Sequence, residues 1–379
     1  MTNLKTEDTC TSPFDHVKEI GVDKLKFCIR SAQCDHSLAA ILQERFDTLG
    51  NKAATRKFSS KGKAFRKRLG VPVGDGFVVI ECQPNKDSYP WAATVEVNPN
   101  AYLREGEKAI ARLASFFRFV FGHEASRLLP NVAVTTLHVN VDFDVNPLEG
   151  ALVVAKGKRG GAKVMYDFDG QGTLGSLYVG VLGSDRRLCV YDKATEVLHR
   201  ECEPYANRIL TALASDRWDI EVSKLREKFS GPARWRLEVR CEPKTAVAVA
   251  AITDFASCFD GIRFLHLPTD KSPFNTSLGR LFIASARNDG INVALRALDE
   301  KERRQFSRAI ARHGDLEWFN TEMLRDAIAD TIAKLSPLFA PPRRRLEVRL
   351  TDARSDICQP SRPARTILRA AKLEKLNHP

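Results

Sequence analysis

The stretch from Ser176 to Lys193 narrows most sharply what this chain can fold into. Ser176 to Gly180 and Arg187 to Lys193 read as two short strands, and Leu182, Gly183, Ser184 and Asp185 between them supply turn chemistry. The spacing predicts a β-hairpin. Neighbouring side chains on a strand point to opposite faces, so Arg187, Cys189, Tyr191 and Lys193 share one face while Leu188, Val190 and Asp192 share the other. Tyr191 therefore stands beside two cations. Positive charge next to a phenol favours its ionised form, and the same cations can hold a phosphate there, which is what a tyrosine nucleophile requires. The ordinary alternative is a strand-borne tyrosine packed on its neighbours with its hydroxyl bonded locally. Tyr178, on the partner strand, is the second candidate.

Two further strands carry polar residues that belong with this hairpin. In Thr136 to Val145, His138, Asn140, Asp142 and Asp144 alternate with Leu137, Val139, Val141 and Phe143. Imidazole and carboxylate donors at alternate strand positions suit Mg²⁺ or Mn²⁺, which prefer such ligands and keep positions open for phosphate oxygens. In Arg234 to Cys241, Arg236, Glu238 and Arg240 alternate with Trp235, Leu237 and Val239. Glu238 is a further ligand candidate, and its flanking arginines suit a phosphate. Each run taken alone reads equally as a solvated strand face.

The rest of the chain supplies helices and further strands. Val22 to Ile29 alternates as a first strand, and Asp35 is placed to cap a helix that carries Leu38, Ile41, Leu42, Phe46 and Leu49 and stops at Gly50. Phe77 to Cys82 and Ala92 to Val97 read as strands, Glu105 to Phe121 as a helix, Val132 to Val145 as a long strand, and Ala151 to Val154 as the start of another. Lys156 to Lys163 reads as a basic hairpin tip, and helices are expected over 194–229, 298–310 and 322–335. Strands and helices in this order give an α+β fold, a mostly antiparallel central sheet flanked by helices with a helical, basic C-terminal extension. The expected division is a flexible N-terminus (1–20), a catalytic and DNA-binding domain (21–250), a helical region (251–340) and a basic tail (341–379).

Charge points to the partner. The 379 residues carry a formal charge of +12 and a pI of about 9.3, which favours a polyanion, nucleic acid before an anionic membrane. Between Lys52 and Arg68 eight cations occur with no acid, and Phe58 and Phe65 are interleaved. Lys57, Lys61, Lys63, Arg66, Lys67 and Arg68 are thus candidates for contact with single-stranded or duplex DNA, as are Arg187, Arg236 and Arg240. The 341–379 tail holds ten Lys/Arg against four Asp/Glu. No run of eighteen apolar residues occurs and the first fifteen residues are polar, so no membrane partner and a cytoplasmic location are expected. The nine cysteines contain no CxxC pair and read as reduced thiols.

VDKLKF at 22–27, TTLHVNVDF at 135–143, SLYVGVLGSDRRLCVYDKATE at 176–196 and RWRLEVR at 234–240 together resemble the replication initiation factor family. These are trans-acting rolling-circle replication initiators of plasmids and filamentous phages, related to nickases of conjugative elements. The resemblance spans roughly residues 20 to 245, and Leu177 to Glu196 is its most specific part. It implies a metal-dependent endonuclease whose tyrosine nicks one strand at the origin, leaving a 5′-phosphotyrosyl link and a free 3′ hydroxyl. Carried onto this chain, Tyr191 is the nucleophile, Lys193 the cation beside the phosphotyrosine, and Asp142 and Glu238 metal ligands. His138 stands where relatives often have an acid, and His138 and Asp144 are alternatives for the third ligand. The implied cofactor is Mg²⁺ or Mn²⁺. The implied partners are origin DNA, both duplex and single strand, a host helicase and polymerase, and a second copy of the chain as a homodimer. No GxxxxGK[ST] motif is present to drive a helicase. A relaxase for conjugative transfer shares this chemistry. A non-catalytic DNA-binding regulator with the same fold is the reading from another class.

Overall fold

The computed structural model describes residues 16–59, 63–148, 151–155, 162–165, 176–180, 184–193, 196, 234–313, 316 and 319–341. Lys61, most of the basic tip at 156–163, the helices expected over 194–229, the first fifteen residues and the tail beyond residue 341 lie outside the described residues.

In chain order the strands and helices are β1 (Val17–Arg30), α1 (His36–Gly50), β2 (Arg56–Lys57), β3 (Phe65–Val73), β4 (Gly76–Pro84), β5 (Trp91–Val97), α2 (Asn100–Glu105), α3 (Glu107–Phe121), α4 (Ala125–Leu128), β6 (Ala133–Phe143), β7 (Ala151–Ala155), β8 (Ala162–Met165), β9 (Ser176–Val179), β10 (Arg186–Asp192), β11 (Trp235–Cys241), β12 (Val247–Ala248), β13 (Ile262–His266), α5 (Ser277–Asp289), α6 (Ile291–Arg296), α7 (Glu300–His313) and α8 (Thr321–Ala333). The fold is α+β, with antiparallel sheet and a helical region after residue 276. No helix among the described residues is long and apolar enough to cross a membrane.

The chain divides into two compact units, each assembled from separated segments. One contains Gly21–His138, Glu242–Phe255 and Ala329–Pro379. Its sheet runs β2-β3-β4-β5-β1 to the first half of β6, with β12 also paired to β6. Asp35 caps α1, its Oδ1 accepting the Leu38 N–H at 2.9 Å as the spacing predicts. Leu38, Leu42, Phe46 and Leu49 are the buried side of that helix. On α3, Ile110, Leu113, Phe117, Val120 and Phe121 recur at helical spacing and are buried. Phe117 meets Phe27 of β1 edge-on at 5.2 Å, and Phe339 closes the other side of Phe27 at 5.3 Å.

Local chemistry explains two departures from the expected elements. The helix expected over 105–121 is two helices, because Gly106 takes φ 87°, a left-handed conformation that ends α2 and starts α3. β3 begins inside the basic stretch, where cations hide the alternation that becomes plain only at Leu69, Val71 and Val73, all buried. Gly70 lies under Phe77 and Phe58, since a Cβ there would sit 2.1 Å from the Phe77 ring and 2.7 Å from that of Phe58. Cys241 and Cys258 are bonded to each other, whereas composition points to thiols throughout.

The other unit contains Met1–Ile20, Val139–Cys241 and Ala256–Ile328. Here the order runs from the second half of β6 through β11, β10 and β9 to β8, and β7 pairs β13 in a separate two-stranded sheet. The two strands predicted over 176–193 pair antiparallel, with Val190 opposite Leu177 and Tyr191 opposite Ser176, while Leu182 and Gly183 of the expected turn lie outside the described residues. Phe143 and Phe264 pack edge-on against Phe319 at 6.1 and 4.6 Å.

Candidate functional site

β10 and β11 pair antiparallel with Arg187 opposite Arg240, Cys189 opposite Glu238, and Tyr191 opposite Arg236. Because directly opposed residues project to the same side of a sheet, this register gathers the polar residues of both strands on one face. Tyr178 of β9 joins them opposite Cys189. Across this face Tyr191 Oη donates to Glu238 Oε2 at 3.1 Å. The same carboxylate takes a fork from Arg240, whose Nε donates to Oε1 at 2.8 Å and Nη2 to Oε2 at 3.1 Å. Burial works against the Arg240 charge, but the hydrogen bonds and charge of Glu238 outweigh it, so Arg240 titrates above the ordinary arginine range. Tyr191 keeps 8 % of its surface and Glu238 4 %. The tyrosine is thus placed against a carboxylate acceptor as well as beside Lys193, whose Nζ lies 5.7 Å from the ring centre.

A second pair joins β6 to β11 through Asp142 and Arg236. Arg236 Nε donates to Asp142 Oδ1 at 2.5 Å and Nη2 to Oδ2 at 2.7 Å, with the two residues 2 % and 0 % exposed. Asn140, also fully buried, reaches Asp142 Oδ1 at 3.4 Å. An ion pair this deep holds two charges that water cannot stabilise, so each residue depends on the other. The sequence reading expects Arg236 to meet DNA; here its Nε/Nη2 edge is held by both oxygens of Asp142. Asp144, just past the strand, accepts from Lys18 at 2.6 Å and His16 at 3.0 Å, and the Lys18 hydrogen bond leads the causes that lower its carboxyl below the usual range. His138 Nε2 is 3.5 Å from Glu242 Oε1.

These contacts bear on the implied divalent ion. Both oxygens of Asp142 accept from Arg236, and both oxygens of Glu238 accept from Arg240, one of them also from Tyr191. Among the described residues no three His, Cys, Asp or Glu side chains are gathered as metal ligands. As arranged, the three candidate ligands do not fit Mg²⁺ or Mn²⁺. Alternation along the strands reveals the shared face but not that its carboxylates are already paired with arginines. The one legible signal was the Glu238/Arg240 spacing, two residues apart on one strand face.

The remaining site candidates divide by what they touch. Lys193 Nζ donates to Glu196 at 2.6 Å, and Arg187 is half-buried opposite Arg240. Lys67 donates to Gln43 at 2.8 Å and lies 3.3 Å from Asp47 on α1, so it braces the sheet against that helix. Arg68 pairs with Glu81 at 2.9 Å and stacks on Phe58, 4.9 Å from the ring centre. Lys57, Lys63 and Arg66 are exposed, the arrangement a phosphate contact needs. Cys189, the other nucleophile on the Tyr191 face, is 1 % exposed, and burial pushes its thiol up to about 11.

Two outcomes follow from this geometry. Asp142→Ala leaves Arg236 buried without its counter-charge and is expected to cost about 3–5 kcal/mol, read as a fall in the urea unfolding midpoint. Joint replacement by Asp142→Leu and Arg236→Met recovers most of that loss; a single variant as stable as the parent contradicts the buried pair. Cys189 in the folded protein resists iodoacetamide at pH 8 and is labelled once urea unfolds the chain, as peptide mass spectrometry reads. Its folded pKa lies above the unfolded value of about 8.5, so its contribution to stability is full below that pH and is lost as the pH rises toward the folded value.

No protein-family model matches the chain, and no curated protein matches it significantly. A solved structure of a rolling circle replication initiator protein from Geobacillus stearothermophilus overlaps 71 % of this chain and 96 % of its own, at 15 % identity and a TM-score of 0.37. A likeness this loose carries no weight for fold or function.

Proposed function

We propose that this protein is a rolling-circle replication initiator that nicks one strand of origin DNA through Tyr191. The observation that carries the reading is the hydrogen bond from Tyr191 Oη to the buried Glu238 carboxylate, with Arg240 clamped on the same carboxylate. The motif resemblance over 20–245 and the net charge of +12 support the same conclusion.

Glu238 is within reach to take the phenolic proton, and Arg240 fixes its orientation. Tyr191 Oη then attacks the scissile phosphorus, an O–P bond forms to the tyrosine, and the bond from phosphorus to the 3′ oxygen breaks. The leaving oxygen takes a proton from water and becomes the 3′ hydroxyl primer for a polymerase. Arg187 lies on the strand that carries Tyr191 and Lys193 just past its end, where their charge favours a phosphate. The phosphotyrosyl bond conserves the energy for religation, so no nucleotide is consumed. A helicase supplied by the host completes the process in this reading. A relaxase would use the same residues and the same steps.

One observation favours a second reading, a DNA-binding regulator without nicking activity: Arg236 occupies both Asp142 oxygens in a fully buried pair. The deciding experiment incubates the protein with supercoiled DNA carrying its own replicon, with and without Mn²⁺, and digests it to find a peptide bearing a 5′ nucleotide. The expected adduct is on Tyr191 and disappears in Tyr191→Phe. An adduct on Tyr178 keeps the activity and displaces the nucleophile. DNA binding with neither nick nor adduct replaces this reading with the regulator.

A further inference from the structure

Far along the chain from the tyrosine, three helices build a second feature that the nicking chemistry does not use. α5, α6 and α7 pack around a shared core in which Phe282 and Phe306 lie 4.6 Å apart and Phe274 and Phe306 5.5 Å apart. Ile283, Ala286 and Ala309 fill the remaining space, and Leu265 of β13 joins them. Gly290, at φ 89°, makes the sharp turn between α5 and α6. α6 ends at Arg296, and after three intervening residues α7 starts at Glu300. A short helix, a three-residue turn and a longer second helix on a three-helix core follow the chain order of a helix-turn-helix.

The outward side of α7 supplies the chemistry. Phe306 and Ala309 point into the core, while Lys301, Arg303, Arg304, Gln305, Arg308 and Arg312 are exposed. From Arg303 to the end of the helix there is no acid. The acids at the start serve the helix itself. Asp299 Oδ1 accepts the Glu302 N–H at 2.7 Å and Glu302 Oε2 accepts the Asp299 N–H at 3.4 Å, a capping box, while Glu300 pairs with Arg304. Cations near a helix C-terminus complement its dipole, which accounts for Arg312. Arg303 and Arg304, in the N-terminal half, gain nothing from the dipole. Arg303, Arg308 and Arg312 have no ionic or hydrogen-bonding side-chain partner among the described residues. At 1.5 Å per residue, Arg304, Arg308 and Arg312 form a stripe about 12 Å long, a length that fits along a major groove.

We propose that α7 is a recognition helix that enters the major groove of duplex DNA. Arg304, Gln305 and Arg308 face base edges, where arginine pairs with guanine and glutamine with adenine, and Arg303 and Arg312 contact phosphates. This site does not involve Tyr191. It gives the protein a way to choose its duplex separately from the residues that would cut one strand.

The test measures binding of labelled duplexes by fluorescence anisotropy between about 50 and 200 mM salt. It uses the full chain in a Tyr191→Phe background, so that cleavage, if it occurs, does not intervene. Arg303→Gln, Arg308→Gln and Arg312→Gln together are expected to weaken duplex binding by about tenfold or more and to lower the slope of log K against log salt by about 2–3. These side chains are exposed, and an unchanged unfolding midpoint confirms an intact fold. Gln305→Ala keeps the charge, and in a selection from random duplexes it is expected to relax preference by about tenfold at one base pair. Duplex affinity within twofold of the parent and an unchanged salt slope overturn the proposal. So does an equal loss on single-stranded and duplex DNA together with an unaltered Gln305→Ala selection.

Discussion

The pair between Arg236 and Asp142 is the constraint on which the candidate site depends. Arg236 is the largest of the fully buried side chains among the described residues, and Asp142, itself out of water, opposes its charge. Coulomb attraction is strong where water is excluded, but so is the penalty for a charge left alone, and the second effect dictates structure. If β11 slipped by one residue along its neighbours, Arg236 and Glu238 would both turn to the opposite face of the sheet. The pair thus opposes the slip with a cost that apolar contacts alone would not impose. With the register held, Cys189 stands opposite Glu238, and Tyr191 lies within hydrogen-bonding distance of the same carboxylate.

Two carboxylates and two guanidiniums on adjacent positions could have paired in several ways. The observed division gives Asp142 to Arg236 and leaves Glu238 to Arg240 and Tyr191. The first combination is sealed and spends its charge on stability. The second contains a phenol, an acceptor for its proton and a cation that keeps the acceptor oriented, which are the parts of an activated nucleophile. Cys189 sits in the same row but is buried and hard to ionise, so chemistry on this face falls to the tyrosine.

Much of this was legible in the sequence because alternation is a local property. The 176–193 hairpin, the Asp35 cap on α1 and the buried row Leu324, Ile328, Ile332 and Leu335 on and after α8 can be read from spacing alone, and the structure has all three. So can the shared polar faces of β6, β10 and β11. Spacing does not say which strand lies next to which, and so could not reveal that Asp142 meets Arg236 rather than a metal. β13 and α5 escaped for a different reason. β13 has five residues, IRFLH, set off by Asp260-Gly261 and Pro268 but too short, with Phe264 and Leu265 adjacent, to show a clean period of two, and α5 mixes Gly, Ser and Asn into its pattern.

The role of Glu238 as the acceptor for the Tyr191 proton is the central claim, and one measurement bears on it most directly. The rate of covalent adduct formation with a single-stranded oligonucleotide is compared for the parent and Glu238→Gln at saturating DNA, across a range of pH. Loss of a positioned base predicts a fall of about 10²–10⁴-fold near neutral pH, with DNA affinity unchanged and the deficit narrowing as the pH rises and hydroxide can take the phenolic proton instead. A Glu238→Gln rate within threefold of the parent at every pH, with the fold intact, would contradict the account.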